Sequence, residues 1–273
     1  MDACILERLI SNDTTLTVFK LSYNNIGVEG ARFLATALER NCTLKTLDLW
    51  ETHIGTEGVR FLAAMLERNS TLTSLCLGNN IGDEGVRFLA TALERNITLT
   101  ELILYNNNNI GDEGARFLAT ALERNSTLTS LYLWNNNIGV EGTRFLAAAL
   151  ERNSTLKTLY LWNDNIGAEG AHFLATALER NCTLTELNLW DNGIGDEGVH
   201  VLAIALERNS TLTTLFLGRN NIEDDEVRVP IDRSLCRNRA IQRAWKEGRR
   251  RRALLLWVGA RTRHTVLPLP LLL

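Results

Sequence analysis

The chain has 273 residues, 45% of them hydrophobic and 22% charged, with a formal net charge of −3. Residues 228–273 carry 12 Lys and Arg against 2 Asp and Glu, while the rest carries 17 against 30. An acidic body therefore ends in a basic stretch, and the body offers nothing that fits DNA or RNA. Five scattered cysteines exclude a disulfide framework. The start, MDACILERLI, has neither the basic nor the long apolar region of a secretory signal, which reads as a cytoplasmic protein.

In chain order, residues 1–14 are expected to form a half-helix cap, with Ile5, Leu6, Leu9 and Ile10 on its apolar side. The stump of a longer array fits the same residues. From Thr15 one phrase recurs, starting again at Thr43, Thr71, Thr98, Thr127, Thr155, Thr183 and Thr211. A fixed period near 28 residues means a solenoid. In the copy TLTSLYLWNNNIGVEGTRFLAAALERNS, counting from Leu128 as position one, Leu131 and Leu133 follow the alternation of a short strand. Thr143, Leu146, Ala147 and Leu150 then share one face of a helix. Residues 15–222 thus make eight repeats, each a strand, a tight turn and a helix running back antiparallel. Parallel strands lie about 4.8 Å apart and packed helices about 9 Å apart, so each repeat should turn by roughly 20–25°. The sheet then lines the inside of the curve.

Gly27 and Gly30 serve the turn and a close approach of helix to strand. Repeat three is one residue short near 78–81 and repeat four one long near 106–109, so irregular turns are expected there. Every junction reads Asn-x-Thr, at Asn41, Asn69, Asn96, Asn125, Asn153, Asn181 and Asn209, which matches the glycosylation sequon. Without a secretory signal, each Asn is expected instead to end its helix in the left-handed conformation. Cys42 and Cys182 occupy the next slot, and are expected to be small buried residues.

The IGxEGxRFLAxALERN half, preceded by L-x-x-L-x-L-x-x-N, resembles the leucine-rich repeat of the long ribonuclease-inhibitor type. That type also occurs in NOD-like receptor C-terminal regions and in the Ran GTPase-activating protein. The resemblance spans residue 15 to about 222. It implies an α/β fold, a right-handed leucine-rich-repeat solenoid or horseshoe with a parallel sheet on its concave face and helices on its convex face. It also implies that position nine, Asn24, Asn136, Asn192 and Asn220, bonds backbone groups of neighbouring turns; Thr52 and Asp164 depart from it.

Repeat eight breaks the pattern: Glu223 and Glu226 replace the turn glycines, and Pro230 stands where a helix can begin. Ile231, Leu235, Ile241 and Trp245 suit one amphipathic helix closed by Gly248, so 223–248 is expected to be a divergent C-terminal capping helix. An incomplete ninth strand near 240–245 is the alternative. Residues 249–273 form a basic and apolar tail, expected to be disordered and dispensable for folding. Its apolar run is too short to span a membrane, though its charge leaves a nuclear signal or a membrane-surface contact open.

No spacing for a metal site, phosphate loop or nucleophile is present, so no catalytic, metal or cofactor site is expected. The informative residues are those that differ between near-identical repeats. Positions three, five and seven point onto the free sheet surface. Position seven carries Trp50, Tyr105, Trp134, Trp162 and Trp190; position five carries Tyr132, Tyr160 and Phe216. Glu186 and Asp191, together with Glu51, Glu101 and Arg219, flank them. Aromatics with a polar rim are what protein interfaces use as anchors. Rings that stack on one another and brace the sheet are the competing explanation. Trp134, Trp162 and Trp190 are expected to form a ladder with steps of roughly 5 Å. The reading is a non-catalytic, monomeric protein-binding scaffold whose partner carries a basic patch. A GTPase-activating regulator of a Ran-like GTPase and a NOD-like-receptor sensor fragment remain as alternatives.

Overall fold

The computed structural model describes residues 3–78, 80–107 and 109–262. Helix α1 (Ala3–Ile10) leads into eight strands: β1 (Val18–Lys20), β2 (Thr46–Asp48), β3 (Ser74–Cys76), β4 (Glu101–Ile103), β5 (Ser130–Tyr132), β6 (Thr158–Tyr160), β7 (Glu186–Asn188) and β8 (Thr214–Phe216). Between them run α2 (Gly27–Leu38), α3 (Gly55–Leu66), α4 (Gly82–Leu93), α5 (Asp112–Arg124), α6 (Gly139–Arg152), α7 (Gly167–Arg180) and α8 (Gly195–Arg208). The strands pair in parallel in one sheet, in sequence order. They align repeat position to repeat position, Tyr132 with Tyr160 and Asn188 with Phe216. This is the expected α/β solenoid of one sheet layer and one helix layer.

The core lies between the layers and runs unbroken along the array. In repeat six Leu156, Leu159, Leu161 and Ile166 from the strand side meet Leu174 and Leu178 from α7, all buried. Each strand is three residues long, with a middle residue (Phe19 in β1, leucine in the others) toward the helix layer and its two neighbours on the opposite face. Gly167, at φ +65°, takes a conformation side chains resist, and so turns the chain from strand to helix. Gly170 sits against Ile166, where a methyl group would strike the isoleucine's Cγ2.

The junction asparagines do something other than adopt the left-handed conformation. Asn153 is extended, at φ −72° and ψ 130°. It is buried, and its Nδ2 donates to Leu122 O of the preceding repeat at 2.7 Å. Its Oδ1 accepts from the N–H groups of Thr155 and Leu156. Asn41, Asn69, Asn96, Asn125, Asn181 and Asn209 repeat the bond to the preceding repeat. One side chain thus satisfies three backbone groups that a buried junction would leave without partners. Cys42 and Cys182 are exposed rather than buried, because the slot after each Asn faces solvent.

The irregularity expected in repeat four appears at its turn. Gly111 has φ −112°, and α5 starts one residue later than its counterparts. At the far end a 3₁₀ turn (Asp225–Arg228) opens α9 (Val229–Thr262). The helix continues past Gly248, where the sequence reading closed it, and no strand forms at 240–245. Ile231 and Leu235 are buried, but Ile241 and Trp245 are exposed, so the apolar seam of the first turns of α9 does not reach those two residues. Its capping work is polar. Arg237 donates to Leu206 O and Asn209 O, and Asn238 donates to Asn209 O and Leu212 O. These are carbonyls that a ninth repeat would otherwise engage. The residues of the tail from 263 to 273 lie outside the described residues.

Candidate functional site

The two layers treat their charges differently. On the helix layer Arg32, Arg87, Arg116 and Arg144 each pair with a glutamate three residues earlier. Arg95, Arg124, Arg180 and Arg208 pair with a glutamate on the preceding helix. Exposed pairs of this kind contribute little to stability, but they leave that surface self-satisfied. Among the described residues no ion pair joins two side chains of the free sheet face.

On that face the aromatic residues fall into three groups. The first is a row: Tyr23 meets Trp50 edge-on at 4.6 Å, Trp50 meets Tyr105 at 5.4 Å, and Tyr105 stacks on Trp134 at 4.5 Å. Trp50 reaches Tyr105 by lying over Gly78 of the intervening repeat, where a Cβ would strike the indole. Trp50 Nε1 is buried there without an acceptor. The second group is central, with Tyr132 against Trp134 at 5.7 Å and against Tyr160 at 5.0 Å. Tyr160 in turn approaches Trp134 at 6.2 Å and Phe216 at 6.4 Å.

Trp162 and Trp190 make up the third group, and here the expected ladder fails. Among the described residues no ring contact joins Trp134, Trp162 and Trp190. The reason is local. Trp134 is taken by Tyr105 on one side and by the two tyrosines on the other. Trp190 lies over Gly218, whose Cβ would stand 2.5 Å from its Cε3. Trp162 and Trp190 are left 36% and 37% exposed, and with Asn188, Phe216 and Arg219 they line a shallow depression of about 490 Å³.

The carboxylates of this face are mostly engaged. Tyr160 donates its hydroxyl to Glu186, and Ser74 donates to Glu101 at 2.5 Å. Asp48 accepts from the backbone N–H of Trp50. Burial pushes the Tyr105 and Tyr132 hydroxyls up, and burial followed by the bond to Glu186 does the same for Tyr160. All three remain neutral donors at physiological pH. Burial, then the Asp48 charge, raises the Cys76 thiol too, which leaves it inert. Position eight is left-handed in every repeat where it is described: Tyr23, Glu51, Asn106, Asn135, Asn163, Asp191 and Arg219 have φ between 51° and 62°. This twist turns Tyr23 toward Trp50, a contact that reading the columns separately had missed.

Position nine behaves as the resemblance implied at Asn136, Asn192 and Asn220, whereas Asn24, in the first repeat, donates to Leu21 O and Ser22 O of its own turn. Asn192 donates to Leu161 O, and Asn220 to Leu189 O. Asp164 in the same slot is buried; its Oδ1 accepts from Asn136 N, while its Oδ2 has no partner. Burial raises its carboxyl well above the usual range.

No helix among the described residues is long and apolar enough to cross a membrane. No group of three or more His, Cys, Asp or Glu among them could hold a metal ion.

Residues 1–133 match the family model described as the TMOD/LMOD leucine-rich domain. Residues 124–147, 180–203 and 208–225 match a leucine-rich repeat model. No curated protein matches the chain at the significance required. Among solved structures, leiomodin-1 actin-binding site 2 is 21% identical, covering 91% of this chain and 95% of its own, with a TM-score of 0.40. The tropomodulin C-terminal domain of Caenorhabditis elegans is 16% identical, covering 90% of this chain and 97% of its own, with a TM-score of 0.42.

Proposed function

This chain is a leucine-rich repeat protein, and we propose that it is a non-catalytic scaffold holding another protein against the free, concave face of its sheet. One contrast carries the reading. The helix layer pairs its charges with one another, whereas the sheet layer presents exposed aromatics and charged groups without ion-pair partners. Aromatic anchors inside a polar rim are the composition of an interface core. Within the face, Trp162, Trp190 and Phe216 are the anchors, while Trp50, Tyr105 and Trp134 mainly brace the sheet. Tyr132, Tyr160 and Glu186 form the polar middle, and Asp191 stands on the rim. The carboxylates toward the N-terminal end, Asp48 and Glu51, favour basic groups on the part of the partner lying there. As part of the same reading the protein is cytoplasmic and monomeric.

The match of residues 1–133 to the TMOD/LMOD leucine-rich domain makes actin, named in the description of leiomodin-1, the first protein to titrate. Affinity and melting temperature are measured for the full chain, for Trp162→Ala, and for Arg144→Ala on the helix layer as a control. The scaffold reading expects Trp162→Ala to stay folded and to weaken the partner's binding by on the order of 2 kcal/mol. Unchanged affinity in the folded variant would overturn it. A GTP-hydrolysis assay with a Ran-type GTPase tests the regulatory alternative, and acceleration by the protein would replace this reading. Light scattering at the binding concentration tests the monomer.

A further inference from the structure

We propose that the depression at the C-terminal end of the sheet takes a segment of the partner in which an Asp or Glu stands beside a large apolar side chain. The apolar group enters between Trp162, Trp190 and Phe216, and the carboxylate meets Arg219. This rests on the scaffold reading and supplies the chemistry of the partner at one end of the face.

Three observations converge there. The first is apolar surface left open: Trp162, Trp190 and Phe216 are each more than a third exposed and line one depression. Large apolar groups gathered around a hollow mark a site for another apolar group. The second is the state of Arg219. It lines the same depression and is exposed, yet among the described residues it makes no ion pair, even with Asp191 in the same column one repeat earlier. The helix-layer arginines of the neighbouring repeats, Arg180 and Arg208, are both paired. A guanidinium is built for two-point recognition of a carboxylate, so an open one beside an apolar hollow sets the sign of what belongs there.

The third is backbone strain. Arg219 is left-handed, at φ 55°, in a slot that Asn106, Asn135 and Asn163 fill in other repeats. Asparagine tolerates that conformation, and there it also bonds its neighbours: Asn163 donates to Asn135, and Asn135 to Asn106. Arginine gives up both advantages, as Tyr23 and Glu51 do in their repeats, and so holds its side chain free of the ladder that the asparagines form. The acids of the central face give no such signal, because Glu186 and Glu101 already accept hydrogen bonds from Tyr160 and Ser74. Charge complementarity therefore favours an acidic segment at this end, in contrast to the basic groups favoured at the other.

The test selects phage-displayed random 12-residue peptides on the full chain, with the Trp162→Ala/Trp190→Ala double variant for counter-selection. The expected result is enrichment of Asp or Glu next to Phe, Trp or Leu. A selected peptide should then lose roughly tenfold in affinity on Arg219→Asn, and more on Arg219→Glu. Arg219→Asn installs the residue that repeats four to six carry at this slot, so it should fold at least as well as the parent. Replacing the peptide's acid by its amide should cost a similar factor, and little more once Arg219 is gone. Peptides that need the tryptophans but show no acid preference, or that ignore Arg219→Asn, overturn this proposal and leave the scaffold reading standing. Failure to select any tryptophan-dependent peptide counts against both.

Discussion

Tyr105 and Trp134 lie face to face across neighbouring strands, with ring centroids 4.5 Å apart and planes 2° from parallel. Tyr105 also supports Trp50, which spans Gly78 to reach it. An aromatic column that looks uniform in sequence is therefore two different things. Its first half braces the sheet and its second half stands free. Replacing Tyr105 and Trp134 by leucine, singly and together, should give a coupling of about 0.5–1.5 kcal/mol in chemical unfolding. Trp162 paired with Trp134 should give none. Equal coupling in both cycles would mean that Trp162 also takes part in the bracing.

Asp164 gives the array a pH dependence of definite sign. Its unfolded carboxyl titrates near 3.9, and burial raises the folded value well above that. Below the unfolded value both states are protonated and no penalty exists. As pH rises between the two values, the unfolded chain ionises while the folded one resists, so stability falls; above the folded value the loss is complete. At this slot Asn192 and Asn220 donate to the carbonyls of Leu161 and Leu189. The corresponding carbonyl for Asp164 is that of Leu133, which already accepts from Asn136; a protonated carboxyl or an amide at 164 can add a second donor, and an ionised carboxylate cannot. Asp164→Asn should therefore stabilise the protein at neutral pH by about 1 kcal/mol. The gain should shrink toward pH 4, and melting curves across that interval measure it. A gain independent of pH would assign the effect to something other than ionisation.

The layer plan was legible because the solenoid reads one phrase eight times: the period alone placed Leu131, Leu133, Ile138 and Leu146 in the core. Ring directions were not, since columns of outward positions do not tell which ring leans on which. Trp50 and Trp190 each lie over a glycine of the next repeat, a relation between two repeats rather than a property of either. The junction Asn was recognised as a helix end, but its work lies in a bond about thirty residues back, as from Asn153 to Leu122. The openness of the cysteine slot was not legible, since Ile97 occupies the same slot as an apolar residue and is yet 76% exposed. Beyond residue 222 the chain leaves the repeat, and of the amphipathic face read there Ile231 and Leu235 are buried while Ile241 and Trp245 are exposed.

Leu161→Asp should be among the most damaging single changes. The side chain is buried between β6 and α7, and a charge there has no partner, a penalty of several kcal/mol or about that order. Since each repeat contacts mainly its neighbours, amides of repeats five to seven should lose hydrogen-exchange protection first while the ends keep theirs. Uniform loss across the sheet would show the array to be one cooperative unit.

The C-terminal end should depend on three consecutive polar residues rather than on the later turns of α9. Arg237 and Asn238 donate to Leu206 O, Asn209 O and Leu212 O, and Arg239 donates to Thr213 O at 2.8 Å. Asn238 is entirely buried, so its loss takes the side-chain donor from Leu212 O and leaves Asn209 O to Arg237 alone, at about 1–3 kcal/mol. All of these bonds, and the buried Ile231 and Leu235, come before Gly248. Removing residues 249–273 should leave the melting transition nearly where it was, whereas Asn238→Ala in the full chain should lower it by several degrees, as a cost of about that size does in a domain of this length. A truncated chain that melts well below the parent would show that the helix beyond Gly248 packs on the array and that the cap is larger than this polar triplet.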